Sequence, residues 1–85
     1  MTPELAKQIT FHLKWYFEVR LNPDHEIIRK AVKNELRKIL ENEAKLEGNL
    51  VDEFIGRFRT LESASGMEVI NEKEVTNTLV LRQQS

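Results

Sequence analysis

Five residues punctuate this chain: Pro3, Pro23, Gly48, Gly56 and Gly66 are its only prolines and glycines. So few breakers favour a handful of long elements, because tight turns and hairpins draw on those residue types. They mark four pieces, 3–21, 23–47, 49–63 and 66–85, with no low-complexity run and no internal repeat. Eighty-five residues leave room for one domain. A chain of this size buries only about 60–65% of its unfolded surface, so its core is marginal.

The third piece gives the strongest periodic signal. Leu50, Val51, Phe54, Ile55, Phe58 and Leu61 occupy an arc of about 140° on a 3.6-residue wheel, the mark of an amphipathic helix. Asn49 is placed to cap it, with Asp52 and Glu53 in the first turn, where the helix dipole favours anions. Gly56 falls on the polar face, at a cost of about 1 kcal/mol against Ala.

The second piece has a matching start. Asn22 can cap, Pro23 suits the first helical position, and Asp24 and Glu26 follow. Ile28, Val32, Leu36, Ile39 and Leu46 form a spine flanked by Ile27, Ala31 and Leu40, so a central helix covered on two sides is expected. Glu35 interrupts the spine and is expected to pair with Arg or Lys at the core edge. Gly48 is expected to end the helix as its C-cap.

The first piece carries two periods at once. From Ile9 to Leu21 the odd positions are Ile, Phe, Leu, Trp, Phe, Val and Leu, and the even ones are Thr, His, Lys, Tyr, Glu and Arg. That is the alternation of a half-buried strand. Yet Thr2-Pro3-Glu4 is a helix start, and no breaker separates it from the alternation. Thirteen residues would also make a strand about twice the usual length. Continuity favours one helix over 3–21, with Leu5, Ala6, Ile9, Leu13, Tyr16 and Phe17 on its main face. Phe11, Trp15 and Val19 then line a second stripe at i, i+4 and i+8, which stands off the main face and needs cover from something.

In the last piece, Met67 to Ile70 and Val75 to Arg82 read as two short strands around the polar turn Asn71-Glu72-Lys73-Glu74. Ser63-Ala64-Ser65-Gly66 reads as a hinge before them. The fold expected is mainly α: three helices with a helical-hairpin core over 1–65, then a short C-terminal β-like arm over 66–85. The alternative is a two-layer α+β domain in which 9–21 is a strand pairing with the C-terminal strands.

Chemistry-bearing constellations are sparse. The chain has no cysteine, which removes disulfides, thiolate metal sites and cysteine nucleophiles. His12 and His25 lack the spacing of a convergent metal site, and structural or solvated roles are expected for both. Ser63 and Ser65 sit in no nucleophile-elbow motif, and three isolated glycines cannot build a phosphate-cradling loop. No enzyme, cofactor, metal or small-molecule substrate is expected. With neither a leader nor a membrane span in the sequence, a cytoplasmic protein is expected.

Charge is distributed unevenly. The net charge is −1, which disfavours a generic nucleic-acid binder. Residues 27–40 nevertheless carry Arg29, Lys30, Lys33, Arg37 and Lys38 against Glu35. Residues 41–53 carry Glu41, Glu43, Glu47, Asp52 and Glu53 against Lys45. Arg29, Lys30, Lys33 and Arg37 fall within about 100° of the wheel and form a basic stripe. A helix–turn–helix around Glu47-Gly48-Asn49 would offer bases only Arg57 and Arg59 beside three acids. The function expected is a non-catalytic protein-interaction or assembly module, self-associating, with Phe11, Trp15 and Val19 as interface. The alternative is a binder of nucleic acid or another anionic partner through Arg29, Lys30, Lys33 and Arg37.

Overall fold

Thr2 starts the first helix as the sequence predicts: its Oγ1 accepts the Leu5 N–H at 3.2 Å, with Pro3 at the first helical position. The computed structural model describes residues 2–20, 24 and 26–83. Helix α1 runs Pro3–Arg20 and buries Ala6, Ile9, Thr10, Leu13, Tyr16 and Phe17. The 9–21 region is therefore helical through Arg20, and Leu21 lies outside the described residues. Spacing explains why the helix wins: it lines Ile9, Leu13 and Phe17 along one side, all fully buried. The buried Thr10 hydroxyl is satisfied by donating to the Ala6 carbonyl at 2.7 Å.

Helix α2 spans Glu26–Lys38, and its predicted cap, Asn22-Pro23, lies outside the described residues. The helix then widens into a π-helical turn, Ile39–Glu43, with the Ala44 N–H bonded to the Ile39 carbonyl at 3.0 Å and the Leu46 N–H to the Leu40 carbonyl at 2.9 Å. Widening the turn keeps Ile39, Leu40, Ala44 and Leu46 all buried. Lys45, at φ 61°, turns the chain. Gly48 is thus no C-cap; it is the first residue of α3, Gly48–Ser65. Glu47 rather than Asn49 occupies the N-cap, without a side-chain capping bond.

Helix α3 buries Val51, Phe54, Ile55 and Phe58 and packs Leu50 and Leu61 at the core edge, as its periodicity predicts. It stops at Gly66, whose φ 86° and ψ −177° lie in a region essentially reserved for glycine. One 3₁₀ turn, Met67–Val69, and the buried Ile70 lead into α4, Glu72–Gln83.

Helix α4 replaces the β-like arm expected over 66–85, and no strand occurs among the described residues. What reads as a polar turn is a helix cap: Asn71 Oδ1 accepts the Glu74 N–H at 2.9 Å, and Asn71 Nδ2 donates to the Glu68 carbonyl at 2.9 Å. An Asn N-cap with Glu three residues on resembles the capping box. Val75 and Leu79, one helical turn apart, then enter the same core as Ile9, Leu13, Leu36 and Phe54. Burial outweighs the strand propensity of Val75, Thr76 and Thr78. Among the described residues, four α-helices make a small, mainly α domain, with α1 packed against both α2 and α4.

The two left-handed positions should respond with opposite signs. Gly66→Ala should lower unfolding free energy by about 1–3 kcal/mol, while Lys45→Gly should raise it by up to about 1 kcal/mol, since relief of left-handed strain outweighs the entropy of glycine. Urea titrations followed by far-UV circular dichroism read both. Asn71→Ala should cost about 1 kcal/mol if the cap, and not a β turn, starts the last element.

Candidate functional site

The two stripes predicted from sequence are each divided by the fold. On α1, Val19 is half-buried and packs against the core, so it leaves the exposed stripe. Phe11 and Trp15 remain outside, 62% and 42% exposed. Their ring centroids lie 6.1 Å apart at a 55° tilt, and Phe11 also meets the His12 ring edge-to-face at 5.5 Å. His12 is held in place because its Nδ1–H donates to the Gln8 carbonyl at 2.8 Å. Phe11, Lys14, Trp15 and Glu18 border a shallow groove of about 320 Å³ on the outer side of α1.

On α2 the predicted basic stripe splits in the same way. Arg37 turns toward α3: its Nη1 donates to Asp52 Oδ1 at 2.6 Å, and its Nη2 lies 3.8 Å from Glu41 Oε1. Lys38 pairs with Glu35 at 3.8 Å; Glu35 thus finds its cation as expected, but on an exposed face rather than at the core edge. Arg29, Lys30 and Lys33 stay together at the start of α2. There they share a cleft of about 200 Å³ with Tyr16, Arg20 and Glu26. Lys30 pairs with Glu26 at 3.5 Å. Arg29 and Lys33 have no ion-pair partner among the described residues.

Arg20 and Tyr16 are the members of this cleft that sequence reasoning assigned elsewhere. Tyr16 is expected on the core face of the wheel, and Arg20 enters the sequence reading only as a polar position of the 9–21 alternation. Tertiary contacts give them their place. Arg20 Nη2 donates to Glu62 Oε2 at 3.2 Å, and its guanidinium carbon sits 4.6 Å from the Phe17 ring centroid. Arg59 Nη2 reaches the Tyr16 hydroxyl at 3.5 Å. Arg29 differs from all of these: its side chain is half-buried and its Nε is enclosed without a hydrogen-bond partner.

The head of α2 reverses another expectation. Ile28, predicted in the spine, is 43% exposed, and Ile27 is 84% exposed. The half-buried Arg29 stem takes the inward position one turn before Val32, as long charged side chains do when their methylenes cover apolar surface. His25 lies outside the described residues.

Among the described residues, no group of three or more His, Asp or Glu is placed to hold a metal ion, and no helix is long and apolar enough to cross a membrane. No protein-family model, curated protein or solved structure matches the chain.

Two stability outcomes separate ordinary surface charge from the cleft. Asp52→Asn should change unfolding free energy by less than about 1 kcal/mol despite its 2.6 Å bond, because the carboxylate is largely solvated. Arg29→Met should hold or raise the melting temperature, since it keeps the apolar stem and removes an unsatisfied buried N–H. Differential scanning calorimetry of the two variants is the check; a marked loss in Arg29→Met would show that its guanidinium is structural.

Proposed function

We propose that this protein is a non-catalytic assembly module that pairs with a second copy of itself through the outer face of α1. One observation carries the proposal: Phe11 and Trp15 stand exposed one helical turn apart, beside two side chains of opposite charge. Phe11, Lys14, Trp15 and Glu18 occupy i, i+3, i+4 and i+7, the spacing with which one helix seats against another. Tryptophan is enriched at interface hot spots because it buries much apolar area with few rotatable bonds.

The charges favour a second copy over an unrelated partner. Lys14 and Glu18 are neighbours on the stripe, yet neither is ion-paired among the described residues. A two-fold contact is self-complementary, so each residue of one copy meets its counterpart's neighbour in the other. Antiparallel α1 helices set Lys14 of each copy against Glu18 of the other, with the two Trp15 rings near the axis. The acidic and basic segments of 27–53 contribute less than their totals suggest, because Arg37 is held within its own chain by Asp52 and Glu41. The same pairing weakens the case for nucleic acid, whose affinity scales with the cations delivered to phosphates.

A single helix pair buries a small area, so the expected dimer is weak and concentration-dependent. Sedimentation equilibrium from roughly 10 µM to 1 mM spans the affinities such a contact gives. Trp15→Ala should shift the chain toward its 10.0 kDa monomer with an unchanged circular dichroism spectrum. Lys14→Glu should weaken the dimer, and Lys14→Glu with Glu18→Lys should restore it. A wild-type chain that stays monomeric at the highest concentration rejects the proposal.

A further inference from the structure

We infer that the cleft between the end of α1 and the start of α2 binds a compact, multiply charged oxyanion: a phosphate or diphosphate group carried by a soluble molecule. The site is distinct from the self-association face, although both use α1. Its lining brings Arg20, Arg29, Lys30 and Lys33 around Tyr16, with Glu26 as the one carboxylate among the described lining residues.

Three features suit this ligand. Arg20 is already oriented by its bond to Glu62 and by the Phe17 ring, so a ligand meeting it pays little ordering entropy. Arg29 lines the cleft and has no ion-pair partner among the described residues, and a guanidinium offers paired N–H groups that match the oxygens of a phosphate. Lys33 lines the same cleft and has no ion-pair partner among the described residues. Arg29 and Lys33 thus set two cations without ion-pair partners among the described residues beside the oriented Arg20, and an oxyanion supplies the acceptors.

Size and charge distribution favour a compact group over a long polyanion. About 200 Å³ lies below the roughly 300–1,000 Å³ of sites that enclose a whole drug-sized ligand, so the cleft accommodates a head group and leaves the rest of the molecule outside. Farther along α2, Arg37 and Lys38 are engaged by acidic side chains. The positive region therefore ends within a few turns instead of tracking a nucleic-acid backbone. Glu26 holds Lys30 at 3.5 Å, and its carboxylate opposes the anion.

Nitrogen-15 correlation spectra of the full chain titrated with inorganic pyrophosphate at low ionic strength test the inference. Saturable shifts centred on the amides of 16–20 and 26–33 are expected. Arg29→Met and Lys33→Gln should each weaken binding about tenfold or more, as loss of a charge-assisted bond does. Glu26→Gln should tighten it. Retained binding in the Arg29→Met, Lys33→Gln double variant, or non-saturating shifts spread over all basic residues, overturns the site. Two further arms identify the source of the anion. Sedimentation with phosphatidylcholine vesicles carrying phosphorylated inositol lipid, without any response to pyrophosphate, would replace the soluble ligand with a bilayer surface. Salt-steep binding to random duplex DNA, again without a pyrophosphate response, would replace it with nucleic acid. Since none of these variants touches Phe11, Lys14, Trp15 or Glu18, sedimentation of the same proteins reports self-association separately.

Discussion

The constraint on which the whole structure depends is the scarcity of apolar surface in a short chain. Phe17, Phe54 and Phe58 are fully buried, with Phe54 and Phe58 centroids 5.1 Å apart. Aromatic side chains bury about 150–250 Å² each and dominate a core of this size. Three helices still leave α1 open on the side where α4 packs. Residues 67–83 close it: Ile70, Val75 and Leu79 are fully buried, and Ala6 borders a shallow concavity with Thr76 and Asn77. A small side chain such as Ala6 allows two helices to approach closely. A domain that buries so limited a fraction of its surface cannot leave its last helix as a free arm.

The same scarcity explains which parts of the fold were legible from sequence. Helix α3 was, because Val51, Phe54, Ile55 and Phe58 repeat at helical spacing over several turns and tertiary packing agrees with them. Helix α1 was legible through continuity instead: its alternation from Ile9 to Leu21 reads equally as a strand, and only the unbroken run from Thr2-Pro3-Glu4 favours the helix. Helix α4 was not. Its apolar positions are few, and Val75, Thr76, Thr78 and Val80 carry strand propensity. Only the Asn71-to-Glu74 spacing announced a helix, and a capping pair is easily read as a turn. The end of α2 was misplaced because a glycine is the usual sign of a C-cap, whereas here Lys45 takes the positive φ and Gly48 is helical. Of the candidate surfaces, Phe11 and Trp15 could be found by wheel position alone. The cleft could not, because Arg20 and Tyr16 meet Arg29 and Lys33 only when two helices come together.

Electrostatics divides the molecule into regions of different character. At the α2–α3 corner, Arg37 draws Asp52 and Glu41 together across the turn, so the adjacent basic and acidic segments partly neutralise one another within one chain. Exposed pairs of this kind contribute little stability. Their effect lies in removing Arg37 from the pool of available cations. At the other end of α2 the excess charge has no equivalent neutralisation: Lys30 has Glu26, while Arg29 and Lys33 have no ion-pair partner among the described residues. A net charge of −1 therefore coexists with a local concentration of positive charge at one cleft.

The head of α2 also breaks the binary pattern that the rest of the chain obeys. Counting back from Val32, Ile28 and Arg29 compete for the inward position, and burial alone would favour Ile28. The fold instead leaves Ile27 and Ile28 exposed and draws the Arg29 side chain in, with its Nε enclosed and unbonded. A sequence selected for stability alone would have little reason to keep that arrangement, since exposing two isoleucines and burying an unsatisfied N–H are both unfavourable. Departures from local consistency concentrate where a site is built at the expense of stability. This departure lies at the wall of the basic cleft, where it brings the Arg29 side chain alongside Arg20, Lys30 and Lys33.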